Sequence, residues 1–214
     1  TKDRKLIKQL PSTSELAVGL MINLLRNILQ SFKSVQNKKW DYSPFIGQEL
    51  ASLTLGVIGL GRLGNFMANF CKVFGMKIFY YDPNIKTKKF TKTSLKKLIQ
   101  VSDVISIHAH VSKQTKYMLN KKILKLAKKN PIILNTSRGE IVKEDDIIWG
   151  LKNRLISGYG TDVIETEFLD IKKSPIIKNL NKYNIIVTPH IGGMTYQGQL
   201  RAWNFAVEKF KKTK

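Results

Sequence analysis

The sequence is poor in several things at once. Its 214 residues hold a single cysteine, Cys71, so no disulfide can form within the chain, and no paired Cys/His spacing of the zinc type occurs. That excludes a disulfide scaffold and any zinc module; no metal is expected, and a reducing, cytoplasmic setting fits. Long apolar runs are scarce too. The longest, 16–29, is interrupted by Asn23, Arg26 and Asn27 and is too short and too polar to span a bilayer. No secretory signal or membrane span is expected. Carboxylates number 15 against 37 Lys and Arg, a net charge of +22, yet only 6 of the 37 are Arg.

A charge of that size fits a polyanionic partner, nucleic acid or an anionic membrane. Its distribution argues otherwise. The 31 Lys are scattered in pairs such as Lys38-Lys39, Lys88-Lys89, Lys96-Lys97, Lys121-Lys122 and Lys128-Lys129, alongside 24 Ile and 14 Asn, all with A/T-rich codons, while Ala stands at 7. The excess reads as coding bias rather than a binding face. Arg, the better reader of phosphates and bases, is missing where a reader would need it. No nucleic acid and no membrane partner is expected.

What is present is a core: 43% hydrophobic residues are enough for one sizeable domain and part of another. Ser12-x-x-Glu15 has the form of a capping box ahead of Ala17, Leu20, Met21, Leu24 and Ile28, which recur at helical spacing and predict a helix over 13–30. After a polar stretch to about Gly47, the short apolar run 53–59 has the pattern of a buried strand. Helices over 62–75, 94–100, 120–129 and 144–153 then alternate with strands over 77–82, 103–108, 132–136 and 156–162, followed by a strand over 185–188 and a terminal helix from Thr195. Such alternation predicts an α/β fold, a Rossmann-type doubly wound parallel sheet with helices on both faces.

Gly59-Leu60-Gly61-Arg62-Leu63-Gly64 is G-x-G-x-x-G. The hexapeptide alone is common; its context makes it specific. It follows a strand, opens a helix, and Asp82 lies 18 positions beyond Gly64 at the end of the next strand, as a dinucleotide fold requires. Gly59 permits the tight turn, Gly61 lets the backbone approach a pyrophosphate and Gly64 lets helix pack on strand. The amides of Arg62 and Leu63 face the anion at the positive helix end. Asp82 accepts ribose hydroxyls, which favours NAD over NADP: a 2′-phosphate about 4 Å away would cost on the order of 4 kcal/mol at an effective dielectric near 20.

Three polar groups follow later strands: Asn135-Thr136-Ser137-Arg138-Gly139, Asp162 through Glu167, and Thr188-Pro189-His190-Ile191-Gly192-Gly193. In an open parallel sheet the carboxyl ends of the strands border one crevice, so all three point to the cleft of the glycine turn.

With these signatures, in this order and over nearly all its length, the chain resembles the D-isomer-specific 2-hydroxyacid dehydrogenases, especially phosphoglycerate dehydrogenase-like members. The resemblance implies an NAD-dependent oxidoreductase moving a hydride between nicotinamide and a small D-2-hydroxy or 2-keto acid. It implies that Arg138 clamps the substrate carboxylate, His190 is the general acid and base, and Glu167 holds the imidazole. Asp162 would bind the carboxamide side of the cofactor, Ala109, Thr136 and Ser137 would line its nicotinamide half, and Gly192 and Gly193 would let the chain pass close to the ring.

The sequence departs from the family pattern in places. Phe168 stands where proline usually follows the catalytic Glu, which leaves Glu165 as a fallback for Glu167, and His110 stands where proline is usual. The division expected is 1–192, an NAD-binding domain including the 13–30 connecting helix, and 193–214, a C-terminal helix returning to an N-terminal substrate (lid) domain that is missing here. Without that lid turnover would be weak, so a non-catalytic NAD(H)-binding module or sensor is the alternative. The resemblance makes the 13–30 helix a homodimer surface; by its own pattern it could equally lie on its own sheet.

Overall fold

The computed structural model describes residues 10–211; residues 1–9, and 212–214 at the end of the C-terminal helix expected over 193–214, lie outside them. Seven strands form one sheet, β1 (Thr54–Ile58), β2 (Lys77–Tyr81), β3 (Thr91–Lys92), β4 (Val104–Ile107), β5 (Ile132–Asn135), β6 (Gly158–Thr161) and β7 (Ile185–Val187). Their order is β3-β2-β1-β4-β5-β6-β7, and every pairing is parallel. The chain winds outward from β1 to β3, then returns to add β4 on the other side of β1. That reversal opens a crevice at the carboxyl ends of β1 and β4.

The central strands β1, β4 and β5 are short and buried on both faces, which explains their richness in Ile, Leu and Val. Alternate side chains feed two cores. Leu55, Val57, Ile132 and Leu134 point to one face, under α1 (Ser12–Leu25) and α3 (Arg62–Val73). Ile58, Ile105, Ile107 and Ile133 point to the other, under α4 (Leu95–Val101), the single turn α5 (Lys121–Leu124), α6 (Glu144–Lys152) and the single turn α7 (Pro175–Lys178). A last helix, α8 (Tyr196–Lys211), follows β7. Among the described residues no helix is long and apolar enough to cross a membrane.

Three expectations are corrected. The helix over 13–30 is two helices, α1 and α2 (Ile28–Gln36), because Asn27 adopts the left-handed conformation at φ 52°, which asparagine tolerates better than most residues. Ala17, Leu20, Met21, Leu24 and Leu25 of α1 are buried against the sheet and α3, whereas no residue of α2 is buried. The capping box does not form: Ser12 is already helical, the Pro11 carbonyl receives the amides of Ser14 and Glu15, and the Ser12 hydroxyl pairs with that of Thr195 at 3.0 Å. The helix over 120–129 is one turn capped by Asn120, after which i to i+3 bonds at Leu126 and Ala127 tighten the chain into turns before Pro131.

Candidate active site

The glycine turn leaves β1 at Gly59 with φ 87°, where a Cβ would lie 2.8 Å from the His108 carbonyl oxygen; a Cβ on Gly64 would lie 2.0 Å from that of Gly59. Neither position has room for a side chain, so the turn and the helix behind it are held in one shape. Gly61 differs: a Cβ there would meet nothing within 4 Å, because it would project into the open cleft. The first-turn amides of α3 have no intrahelical partners and face the same space. The Arg62 side chain turns away, Nη1 donating to the Leu10 carbonyl. The Ser14 hydroxyl donates to the Leu63 carbonyl at 2.9 Å, tying α1 to this turn.

Asp82, nearly buried, organises the far side of the cleft. Oδ2 accepts the amide of Leu60 at 2.8 Å, and Oδ1 accepts those of Asn84 and Ile85 at 2.9 Å. A carboxylate has about four lone-pair sites, so one is left for a ligand hydroxyl. Gly59, Gly61, Asp82 and Ala109 border a cleft of about 560 Å³. Across His108 and Ala109 this cleft adjoins a second cavity of about 450 Å³, lined by Leu63, Thr136, Ser137, Arg138, Asp162, His190, Gly192 and Gly193. His108, bonded to the Ser106 hydroxyl at 2.8 Å, is pushed down to about 4 by burial.

The walls of the second cavity are set by buried polar residues at the strand ends. Asn135 accepts the Ser137 amide at 3.1 Å and donates to the Arg138 carbonyl at 2.9 Å, fixing the loop after β5. Asp162 does the same after β7: Oδ1 takes the Thr188 hydroxyl at 2.5 Å and the Ile191 amide at 2.8 Å, and Oδ2 the Gly192 amide at 2.7 Å. Held within this turn, His190 sits at φ 55°, a conformation that costs a non-glycine residue on the order of 1–3 kcal/mol and that clusters at functional sites. Its amide is shared between the carbonyls of Asp162 at 2.9 Å and Thr188 at 3.0 Å.

His190 Nδ1 lies 3.2 Å from Glu167 Oε2, a buried oxygen with no hydrogen-bond partner. No hydrogen bond joins the two groups, so the contact is a close approach of two ionisable side chains. Glu165, by contrast, accepts the Tyr117 hydroxyl, which pushes that phenol up to about 12. Arg138 is exposed on the cavity wall, with Nη1 folded onto the Ser137 carbonyl at 2.6 Å. A Cβ on Gly139 would lie 2.2 Å from the backbone of Ile164, so the arginine loop and the glutamate segment pack backbone to backbone. The requirement at Gly139 was not visible in the sequence, because it is set by the distant Ile164 backbone; the part played by Asn135 is local to its own loop, and an asparagine at the end of a strand was its only signal.

The structure also offers a fit for a dinucleotide. The open space over Gly61 suits a phosphate near bare backbone. The Thr136 hydroxyl, buried without a partner, borders the second cavity and is the orphaned polar atom a ligand amide or hydroxyl would satisfy.

Comparison with known proteins agrees. The profile of the family described as D-isomer specific 2-hydroxyacid dehydrogenase, NAD binding domain, matches residues 18–192. The chain is 31% identical over 195 residues to a D-3-phosphoglycerate dehydrogenase of Bacillus subtilis, covering 88% of the chain and 36% of that protein. It is 34% identical over 206 residues to a hydroxypyruvate reductase of Thermotoga maritima, covering 94% and 66%. The structure of a D-lactate dehydrogenase from Aquifex aeolicus complexed with NAD and lactic acid superposes with a TM-score of 0.89 at 30% identity, covering 95% of this chain and 66% of that one. The chain thus spans roughly a third to two thirds of these relatives. With its sheet order, its glycine turn and this match, the chain belongs to the D-isomer specific 2-hydroxyacid dehydrogenases, of which it carries the NAD-binding domain.

Proposed function

We propose that this chain binds NAD(H) and, through Arg138, His190 and Glu167, interconverts a small 2-keto acid and its D-2-hydroxy acid. The observation that carries the reading is the approach of a buried Glu167 oxygen to His190, which itself lines the cavity that also holds Arg138. With Nδ1 on the side of Glu167, Nε2 is the nitrogen left to give a proton to the substrate carbonyl oxygen, and to take it back in the reverse direction. Glu167 stabilises the charged ring and holds its orientation. Arg138 swings from Ser137 to grip the substrate carboxylate with two parallel hydrogen bonds, a task for a guanidinium that stays charged. NAD(H), when bound, supplies or accepts the hydride.

The cofactor would lie with its phosphates at Gly61, Arg62 and Leu63, its adenosine ribose at Asp82 and its nicotinamide beside Ala109, Thr136, Ser137, Asp162, Gly192 and Gly193. The test is oxidation of NADH by a panel of 2-keto acids, read on the chain and on any longer polypeptide that contains it; no oxidation with any of them refutes the enzymatic reading. The alternative, an NAD(H)-binding module without turnover, is favoured by one observation, the Arg138 guanidinium folded back on its own loop. Saturable NADH binding without oxidation would select it.

Residues 193–214 we read as a separate element: α8 exposes Tyr196, Leu200, Trp203 and Val207, a stripe at helical spacing suited to a substrate-binding domain. A homodimer is also proposed, with its surface moved off α1, whose apolar face is spent on the sheet, to α2 and the segment after it, where Phe32, Val35, Trp40, Tyr42 and Ile46 are exposed. Sedimentation of wild type against Trp40→Ser tests it; two monomers or two dimers would reject this surface. A cytoplasmic location fits the lone buried thiol of Cys71.

A further inference from the structure

Glu144 stands in the first turn of α6, 3% exposed, and burial raises its carboxyl above the usual carboxylate range. For stability alone a carboxylate is a costly choice at such a position. Its two oxygens go to one segment. Oε1 accepts the Glu165 amide at 2.8 Å and Oε2 the Ser174 hydroxyl at 2.6 Å, so a single side chain pins the chain on both sides of Glu167. At its start the segment is also held by Gly139 against Ile164 and by the Tyr117 hydroxyl on Glu165, but beyond that Phe168 and Leu169 are 86% and 80% exposed and the internal bonds are turn bonds such as Leu169 to Thr166.

We propose that Glu144 is a positioning residue for the Glu167–His190 pair, acting through the backbone of the segment it pins. The inference rests on the catalytic reading above. Since α6 follows directly on the Arg138 loop, the same side chain also ties the arginine's element to the glutamate's.

The test compares wild type with Glu144→Ala, which removes both pins, and Glu144→Gln, which keeps an acceptor for Glu165 but loses the one for the Ser174 hydroxyl, whose oxygen already accepts the Ile176 and Ile177 amides. Three quantities are read: NADH affinity, kcat for keto-acid reduction, and the pH titration of the His190 ring resonances. Glu144→Ala is expected to lower kcat about 30- to 100-fold, the scale of a misplacement near 1 Å, with NADH affinity within about 2-fold. Its His190 titration curve should approach that of Glu167→Gln, and Glu144→Gln, with one of the two pins kept, should lie between Glu144→Ala and wild type. A folded Glu144→Ala protein with wild-type kcat and an unmoved titration overturns the proposal. If Glu144→Ala does not fold, Ser174→Ala takes its place, with about a 10-fold loss expected and none overturning it. Absence of turnover in wild type would sink the catalytic reading, while the His190 titration would still decide this one.

Discussion

Replacing Glu167 by Gln keeps the volume of the side chain and removes its charge. At the 3.2 Å separation of His190 Nδ1 and Glu167 Oε2, a full pair of charges is worth about 5 kcal/mol at an effective dielectric of 20 and about 1.3 kcal/mol in water. The His190 side chain is 43% exposed and that of Glu167 15%, which puts the pair toward the watery limit, so about 1.5–2 kcal/mol is the expected worth. That corresponds to a loss of about 10- to 30-fold in kcat/KM for reduction near neutral pH. The sign follows from the chemistry: reduction draws a proton from the imidazole, and a carboxylate beside the ring offsets the charge the ring carries. The rate of reduction should therefore fall and the pH profiles of the two proteins should differ, with NADH affinity unchanged. The assay is the initial rate of NADH loss across pH with the keto acid varied from below KM to saturation, paired with fluorescence titration of the cofactor. Superimposable pH profiles and equal kcat/KM in the two proteins would refute the pairing.

Further outcomes are expected elsewhere in the site. Gly64→Ala places a Cβ 2.0 Å from a carbonyl oxygen and should cost about 1–3 kcal/mol in urea unfolding together with NADH binding; normal affinity would mean the turn is not the phosphate site. Asp82→Ala should narrow the gap between NAD and NADP affinities and loosen the Leu60 turn, and an unchanged ratio removes Asp82 from ribose selection. His108, lowered to about 4 from its ordinary 6.5, binds its proton more readily in the unfolded chain. Stability should thus be full above pH 6.5 and fall toward pH 4 by at most about 3 kcal/mol, less because the ring keeps contact with both cavities. His108→Asn should flatten that part of the urea-midpoint profile; an identical slope would show that other groups carry it.

Much of the fold was legible because each strand's apolar run is bounded by turns and each helix by its period. What escaped were features decided by single residues or distant partners. Asn27 breaks a helix whose apolar spacing runs straight through it. The two-residue β3 and the one-turn α7 are too short to carry a period, and β3 exists only because Phe79 and Tyr80 offer it pairing. Ser12 and Glu15 have the capping spacing, yet Thr195, 183 residues on, claims the serine. At the site the sequence supplied residue types and order but not which of two acidic neighbours faces His190. The spacing of Glu165 and Glu167 is silent on that; Tyr117, from another loop, holds the first and leaves the second beside the imidazole. The work of Glu144 was equally hidden, since a helix-start carboxylate looks like any other until its partners are seen.

The deciding measurement is a calorimetric titration of the purified chain with NADH and, separately, NAD. One saturable site per chain is expected, weakened together with the turn in Gly64→Ala. No heat and no saturation with either form at concentrations on the order of millimolar would mean that the bare backbone over Gly61 receives no dinucleotide, and the reading of cavity, arginine and histidine built upon it would fail.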